Sequence, residues 1–136
     1  MSKKVLFICT HNSARSQMAE AFLNSLFPHS YEAYSAGTQP GKLNLYVVKA
    51  MKEVGIDISG NLTKSVFEFK GQSFDYVVTV CDQAKETCPY FPRARQYIHR
   101  NFEDPSIFRG SDEEIMEKVR KTRDEIKNWI IETFGE

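Results

Sequence analysis

A strand that runs directly into a cysteine, a tight loop and an arginine-led helix constrains this chain more than any other feature. Val5-Leu6-Phe7-Ile8 is a short apolar run, Cys9-Thr10-His11-Asn12-Ser13-Ala14 turns the chain, and Arg15-Ser16 opens an amphipathic stretch. A turn of this kind aims successive backbone N–H groups inward, and the N-terminus of the following helix adds its positive dipole end. The result is a cradle for a tetrahedral oxyanion with a thiol at its floor. The same field favours the thiolate, so the sequence predicts a largely ionised Cys9. Arg15 supplies a planar fork suited to two oxygens of the anion. The expected oxyanion-binding set is Cys9, Thr10, His11, Asn12, Ser13, Ala14 and Arg15. Within it, Asn12 tolerates a left-handed backbone and has an amide that can brace the loop. His11 either tunes the anion site or is an exposed loop histidine with no role. Ser16 either donates its hydroxyl to the Cys9 sulfur or simply caps the helix.

The rest of the chain limits what such a site serves. Its 136 residues suit one domain, 1–136, with a single substantial core. Lys+Arg and Asp+Glu balance at 18 each, so no net field draws the chain to nucleic acid or a membrane. Attraction for an anion has to be local. Met1-Ser2-Lys3-Lys4 leads straight into a strand with no apolar signal-peptide region, and no segment is long enough to span a bilayer. A cytoplasmic monomer is the default expectation. Three cysteines, at 9, 81 and 88, are an odd count that argues against a structural disulfide framework and for reactive thiols or a metal.

Hydrophobic spacing alternates between strand and helix along the chain. Met18, Ala19, Phe22, Leu23 and Leu26 mark a helix over 15–27, and Tyr31 to Ser35 a strand closed by Ala36-Gly37. Val47, Val48, Met51 and Val54 mark a helix over 45–54 that Gly55 stops, followed by a weak helical piece over 64–69. Phe74 to Val80 is an apolar run fit for a strand buried on both faces, and Tyr97-Ile98 a short edge strand. Ile115, Val119, Ile126, Trp129, Ile130 and Phe134 define a long helix over 112–134, with Ser111 as its cap. This alternation predicts an α/β fold: a four-stranded parallel sheet flanked by helices on both faces. Ligands in such sheets bind beyond the carboxyl ends of the strands. Two strong strands end in cysteine, Ile8-Cys9 and Val80-Cys81, so adjacent parallel strands would bring both thiols to one sheet edge.

Cys9 to Ser16, with Ser35-Ala36-Gly37 and Asp104-Pro105, resembles the low-molecular-weight protein tyrosine phosphatase superfamily over essentially the whole chain. The resemblance implies that Cys9 is a nucleophile and Asp104 the general acid that protonates the departing oxygen. On sequence alone Asp104 is equally a turn-forming Asp before Pro, and Glu103 is its competing neighbour. Cys81-Asp82-Gln83-Ala84-Lys85-Glu86-Thr87-Cys88 then looks like the segment of the thioredoxin-coupled arsenate reductases, which share the phosphatase fold. That likeness implies a relay of redox disulfides through Cys9, Cys81 and Cys88. Arsenate would be the substrate, phosphate its analogue, thioredoxin the external reductant (glutaredoxin being the competing partner), and no cofactor would be bound. A seven-residue offset places Cys81 and Cys88 about two helical turns apart on one helix face, so they can bond only if the segment unwinds.

Other readings of Cys81 and Cys88 stand beside this one: small core residues, ligands with Cys9 of a metal, or guards of a phosphatase nucleophile against over-oxidation. A phosphatase, with or without redox regulation, is therefore the alternative enzyme, and an oxyanion-binding redox sensor the alternative outside catalysis. Relatives with a potassium site use residues matching Asn12, Glu20 and Ser35 plus an Asp after the second helix. Here that stretch reads Asn61-Leu62-Thr63-Lys64-Ser65 without one, so no obligatory metal is expected and Lys64 becomes a candidate for the positive charge. Glu20 is otherwise an ordinary helix surface charge. Ser106-Ile107-Phe108 replaces the tyrosines that wall an aryl pocket in many phosphatases of this type. Phe108 and Tyr90 are left as pocket or loop-packing aromatics.

Overall fold

Four parallel strands stand in the order β2-β1-β3-β4 in the computed structural model, which describes residues 2–135. They are β1 (Lys3–Cys9), β2 (Tyr31–Gly37), β3 (Phe74–Thr79) and β4 (Ala94–His99). The helices are α1 (Arg15–Leu26), α2 (Leu45–Glu53), α3 (Asp82–Thr87) and α4 (Asp112–Phe134), with single 3-10 turns at Val66–Phe69 and Pro105–Ile107. The parallel α/β architecture expected from the alternation is present.

Val5, Leu6, Phe7 and Ile8 are all wholly buried, although successive strand side chains point to opposite faces. Both faces of the sheet are therefore covered, which is why this strand reads as a continuous apolar run. Phe7 meets Phe134 of α4 edge to face at 6.0 Å, while Tyr34, beside Leu6 in register, joins an aromatic chain through Phe69 and Phe74. The strand pairing fixes the site. β1 lies between β2 and β3, with Cys9 opposite Gly37 and Ile8 opposite Thr79. The Val80 N–H continues the ladder to the Ile8 carbonyl at 2.9 Å, so Cys81 emerges beside the loop that follows Cys9.

Local signals explain where the helices begin and end. Asn44 accepts from the amides of Tyr46 and Val47 at the start of α2. Gly55, at φ 83°, ends it with its N–H on Lys52 and that of Ile56 on Met51, the paired bonds of a Schellman stop. Ser111 and Glu114 form a reciprocal capping box on α4, and Asp112, Glu113 and Glu114 fill its first turn.

Several expectations need correction. The edge strand β4 is six residues, not the dipeptide Tyr97-Ile98, because its exposed side alternates too weakly to stand out in sequence. The piece over 64–69 is a 3-10 turn closed by a Ser65–Glu68 capping box. Leu26 and Val54, placed on buried stripes by spacing, are exposed at helix ends. Cys81 and Cys88 do not share a helix face: they are the N-cap and C-cap of α3, one buried and the other half-buried.

Candidate active site

The loop between β1 and α1 closes around the Cys9 sulfur. The Asn12 N–H donates to Cys9 Sγ at 3.2 Å, and Asn12 itself adopts the left-handed conformation at φ 54°. Its amide is bonded at both ends. Nδ2 donates to Ser16 Oγ at 2.7 Å, and Oδ1 accepts from Gln17 Nε2 and the Lys64 N–H. Because Asn12 fills an acceptor position of Ser16, the Ser16 proton is free to point at Cys9 Sγ, 2.9 Å away. Ser16 therefore serves the sulfur, and α1 has no side-chain cap at its N-cap residue Ala14. The Ser16 amide also acts on the Cys9 sulfur.

Burial pushes the Cys9 thiol above its ordinary value. Hydrogen bonds from Ser16 and the charge of Arg15 pull it down, the nearby Cys81 adds a push upward, and the balance is upward. Removal of the sulfur from water, the largest cause, works against the largely ionised Cys9 expected from the motif.

Gly37 explains how the loop packs so tightly. A Cβ there would lie 2.7 Å from the Thr10 carbonyl oxygen and 2.9 Å from the Asn12 nitrogen. Only glycine lets the end of β2 approach the loop backbone this closely. The Thr38, Gln39 and Gly41 amides then donate to the carbonyls of Cys9, Thr10 and His11, and the Asn44 amide to that of Ser13. These bonds occupy the loop carbonyls, while the Asn12 N–H turns inward to Cys9 Sγ. His11 is exposed and bonds the Gln39 carbonyl at 2.9 Å, so it braces the neighbouring loop.

Arg15 is only 7% exposed and held at both ends of its fork. Nη1 donates to the Phe102 carbonyl at 3.1 Å, and Nη2 lies 3.6 Å from Asp104 Oδ2. Asp104 caps the 3-10 turn that Pro105 opens, its Oδ1 accepting from the Ser106 N–H at 2.9 Å. The structure thus brings Asp104, and not the exposed Glu103, to the rim of the cradle. Phe108 is buried in the core and Tyr90 is exposed in a cleft beside Cys88.

Cys81 meets the cradle through Thr10. Thr10 Oγ1 lies 3.3 Å from Cys81 Sγ and donates to Gln83 Oε1 at the same distance. Cys88 stands at the other end of α3, its thiol on the Pro89 carbonyl at 3.3 Å. Burial pushes that thiol up to about 11.

Below the loop, burial raises the Glu20 carboxyl, while the charge of Lys64 and the Ser35 hydroxyl and amide pull it down. Ser35 Oγ is buried without a formed hydrogen bond, so its contact with Glu20 is loose. Lys64 also donates to the Leu62 carbonyl at 3.2 Å. Glu20 is not a simple surface charge. It is a partly buried carboxylate facing an ammonium group.

Residues 4–134 match the profile of the family described as low molecular weight phosphotyrosine protein phosphatase. The chain belongs to this family. Among its relatives is an arsenate reductase of Halalkalibacterium halodurans, 42% identical over all of this chain and 98% of that one. A solved arsenate reductase in a phosphate-binding state superposes with a TM-score of 0.81 at 30% identity, covering 96% of this chain and 95% of the other. A thioredoxin-dependent arsenate reductase of Corynebacterium glutamicum superposes at 0.65 with 30% identity, over 95% of this chain and 61% of that one.

Within this phosphatase-family frame, some residues escaped the sequence reading. Gln17 locks Asn12 and bonds the Leu62 carbonyl, and Asn61 in turn holds Gln17. Gln83 shares the Thr10 hydroxyl with Cys81, and the Phe102 carbonyl steers Arg15. Apart from the Gln17–Asn12 bond, these contacts are distant in sequence, and none carries a spacing that marks it. Among the described residues there is no cluster of three metal-ligating side chains, and no helix is long and apolar enough to cross a membrane.

Proposed function

We propose that the chain is an arsenate reductase working through Cys9, Cys81 and Cys88, regenerated by a thioredoxin-type dithiol. The contact of Thr10 Oγ1 with Cys81 Sγ carries this reading, because it sets a second thiol against the cradle that holds the first. A purely hydrolytic thiol phosphatase has no use for it. The arsenate reductase relatives, matched over the full chain, and the thioredoxin dependence of one solved neighbour support the same conclusion.

Arsenate binds with its oxygens on the inward N–H groups from Thr10 to Arg15 and on the Arg15 fork. The Cys9 thiolate attacks arsenic, and an arsenic–oxygen bond breaks as Asp104 protonates the departing oxygen, which leaves as water. The Cys81 thiolate then attacks the Cys9 sulfur. The Cys9–Cys81 bond forms, the sulfur–arsenic bond breaks, and its electron pair stays on arsenic, which falls from the pentavalent to the trivalent state. Cys88 attacks Cys81, releasing Cys9 and leaving a Cys81–Cys88 disulfide. An external dithiol reduces that bond by exchange and supplies the two electrons. Arsenate and two thiols give arsenite, one disulfide and water. Thr10 can turn its proton from Gln83 to the Cys81 sulfur as that thiol ionises.

The second reading is phosphoester hydrolysis, favoured by the complete set of Cys9, Ser16, Arg15 and Asp104. One assay separates them. With thioredoxin, its reductase and NADPH, arsenate drives NADPH oxidation in the native chain, and Cys88→Ser stops multiple turnover while leaving aryl phosphate hydrolysis largely intact. Fast hydrolysis with no arsenate-dependent NADPH oxidation overturns the reductase reading in favour of the phosphatase. Turnover in neither assay favours the oxyanion-binding sensor.

A further inference from the structure

Two side chains outside the cradle grip the first residue of α3. His99 Nε2 lies 2.7 Å from Asp82 Oδ1, and Asn101 Oδ1 accepts the Asp82 N–H at 3.1 Å. The imidazole is held from behind as well, with Nδ1 2.7 Å from Thr79 Oγ1 on β3, itself only 6% exposed. Nε2–H donates to the carboxylate whether His99 is neutral or protonated, since Thr79 serves Nδ1 as donor or acceptor in turn. Gln83, the next residue, is tied to Thr10 of the cradle, and Ala84 is fully buried.

At the other end of α3, no residue up to Cys88 has such a clasp among the described residues; the first long-range tie beyond it is Tyr97 Oη on the Phe91 N–H and carbonyl. The Cys88 N–H bonds the Ala84 carbonyl, Thr87 Oγ1 the Gln83 carbonyl, and Cys88 Sγ the carbonyl of its own neighbour Pro89. Every one of these bonds is local, and Lys85, Glu86 and Thr87 are exposed. A helix of six residues has little stability of its own, so its anchors decide which end opens.

We propose that His99 and Asn101 are positioning residues that clasp Asp82, so that α3 opens from its Cys88 end while Cys81 stays at the cradle. The inference rests on the three-thiol relay and specifies how that relay moves. Cys81 must reach Cys9 first and Cys88 second. Helical rise sets the Cα atoms of residues seven apart at about 10 Å, whereas a disulfide requires about 4.4–6.8 Å. One cysteine has to travel. Fraying at the start of α3 would withdraw Cys81 from Cys9. Fraying at the far end delivers Cys88 and leaves the first contact intact.

The test uses the full chain with His99→Ala and His99→Gln, the latter keeping an N–H donor for Asp82. Amide exchange read by NMR is expected to be about tenfold faster at Cys88 than at Ala84 in the native chain. In His99→Ala the Ala84 and Asp82 amides speed up about fivefold, consistent with loss of one ordinary hydrogen bond. In a Cys88→Ser background given arsenate without reductant, His99→Ala slows formation of the Cys9–Cys81 disulfide by a similar factor. His99→Gln restores both, and phosphate affinity is unchanged throughout. Equal protection at Cys88 and Ala84 in the native chain, or exchange and bridging rates indifferent to His99→Ala, overturns the clasp. If exchange follows expectation but arsenate yields no Cys9–Cys81 disulfide even with His99 intact, the relay itself fails and the clasp loses its function with it.

Discussion

Ser16 Oγ stands 2.9 Å from Cys9 Sγ, and Asn12 Nδ2 donates to that same hydroxyl from 2.7 Å. The amide orients the hydroxyl, and the hydroxyl stabilises charge on sulfur. Burial holds the Cys9 thiol above its ordinary value, so the reactive thiolate accumulates only at more alkaline pH than for a free cysteine. Ser16 acts in the opposite direction, and its removal must move the inflection higher still. Ser16→Ala is expected to slow alkylation of Cys9 by iodoacetamide about 10- to 100-fold at neutral pH, the range for a hydrogen bond to a charged group. The pH profile of alkylation checks this, and an unchanged inflection would show that the hydroxyl serves only packing.

Gly37→Ala tests the close approach of β2 to the cradle. The added Cβ meets backbone atoms of Thr10, His11 and Asn12, none of which can swing aside as a side chain would. The loop must shift, and its inward N–H groups with it. Phosphate affinity measured by calorimetry is expected to fall by at least about tenfold, with a stability cost of about 1–3 kcal/mol for overpacking. The circular dichroism spectrum should stay native-like, because the strand itself remains paired.

The cradle was legible from sequence because its parts are contiguous. Val5 to Ser16 contains the strand, the thiol, the left-handed Asn12 and the arginine, so a local pattern captures the local geometry. The juxtaposition of Cys9 and Cys81 was also legible, since two apolar strands ending in cysteine reach the same edge of a parallel sheet. What stayed hidden depends on packing between distant segments. Gly37 reads only as the close of a strand until the loop opposite it is placed. Asp82 and His99 carry no shared spacing, and their contact exists because β4 pairs beside β3. Burial of the Cys9 sulfur is hidden for a related reason. A motif displays the hydrogen-bond donors around a sulfur but not the depth at which the fold buries it.

Lys64 stands where it can offset the charge of Glu20, and the sign of the effect is testable. Glu20 is raised by burial, so the stability it contributes is fully present below the ordinary carboxylate value and lost as pH rises through its raised value. Lys64 limits that loss by favouring the ionised form. Lys64→Met is therefore expected to be nearly silent at pH 4 and increasingly destabilising toward pH 8, as read from urea midpoints. Adding Glu20→Gln should abolish the pH dependence of the difference. Because this ammonium already faces Glu20, replacing potassium by choline is expected to leave native activity unchanged.

Asp104 is held at the rim of the cradle by its turn and by Arg15. Ser106 fixes one carboxyl oxygen, and the other lies 3.6 Å from the Arg15 guanidinium. A general acid matters most when the leaving group is a poor one. Asp104→Asn is expected to slow hydrolysis of phenyl phosphate about 10²- to 10⁴-fold, and p-nitrophenyl phosphate far less, because nitrophenolate leaves without help. First-turnover arsenite release should fall as well, since the oxygen leaving arsenic also needs a proton. Glu103→Gln, altering an exposed neighbour that makes no contact with Arg15, should leave all three rates unchanged. Equal losses for the two esters would assign Asp104 to positioning Arg15 instead, and phosphate affinity would then fall in parallel with the rates.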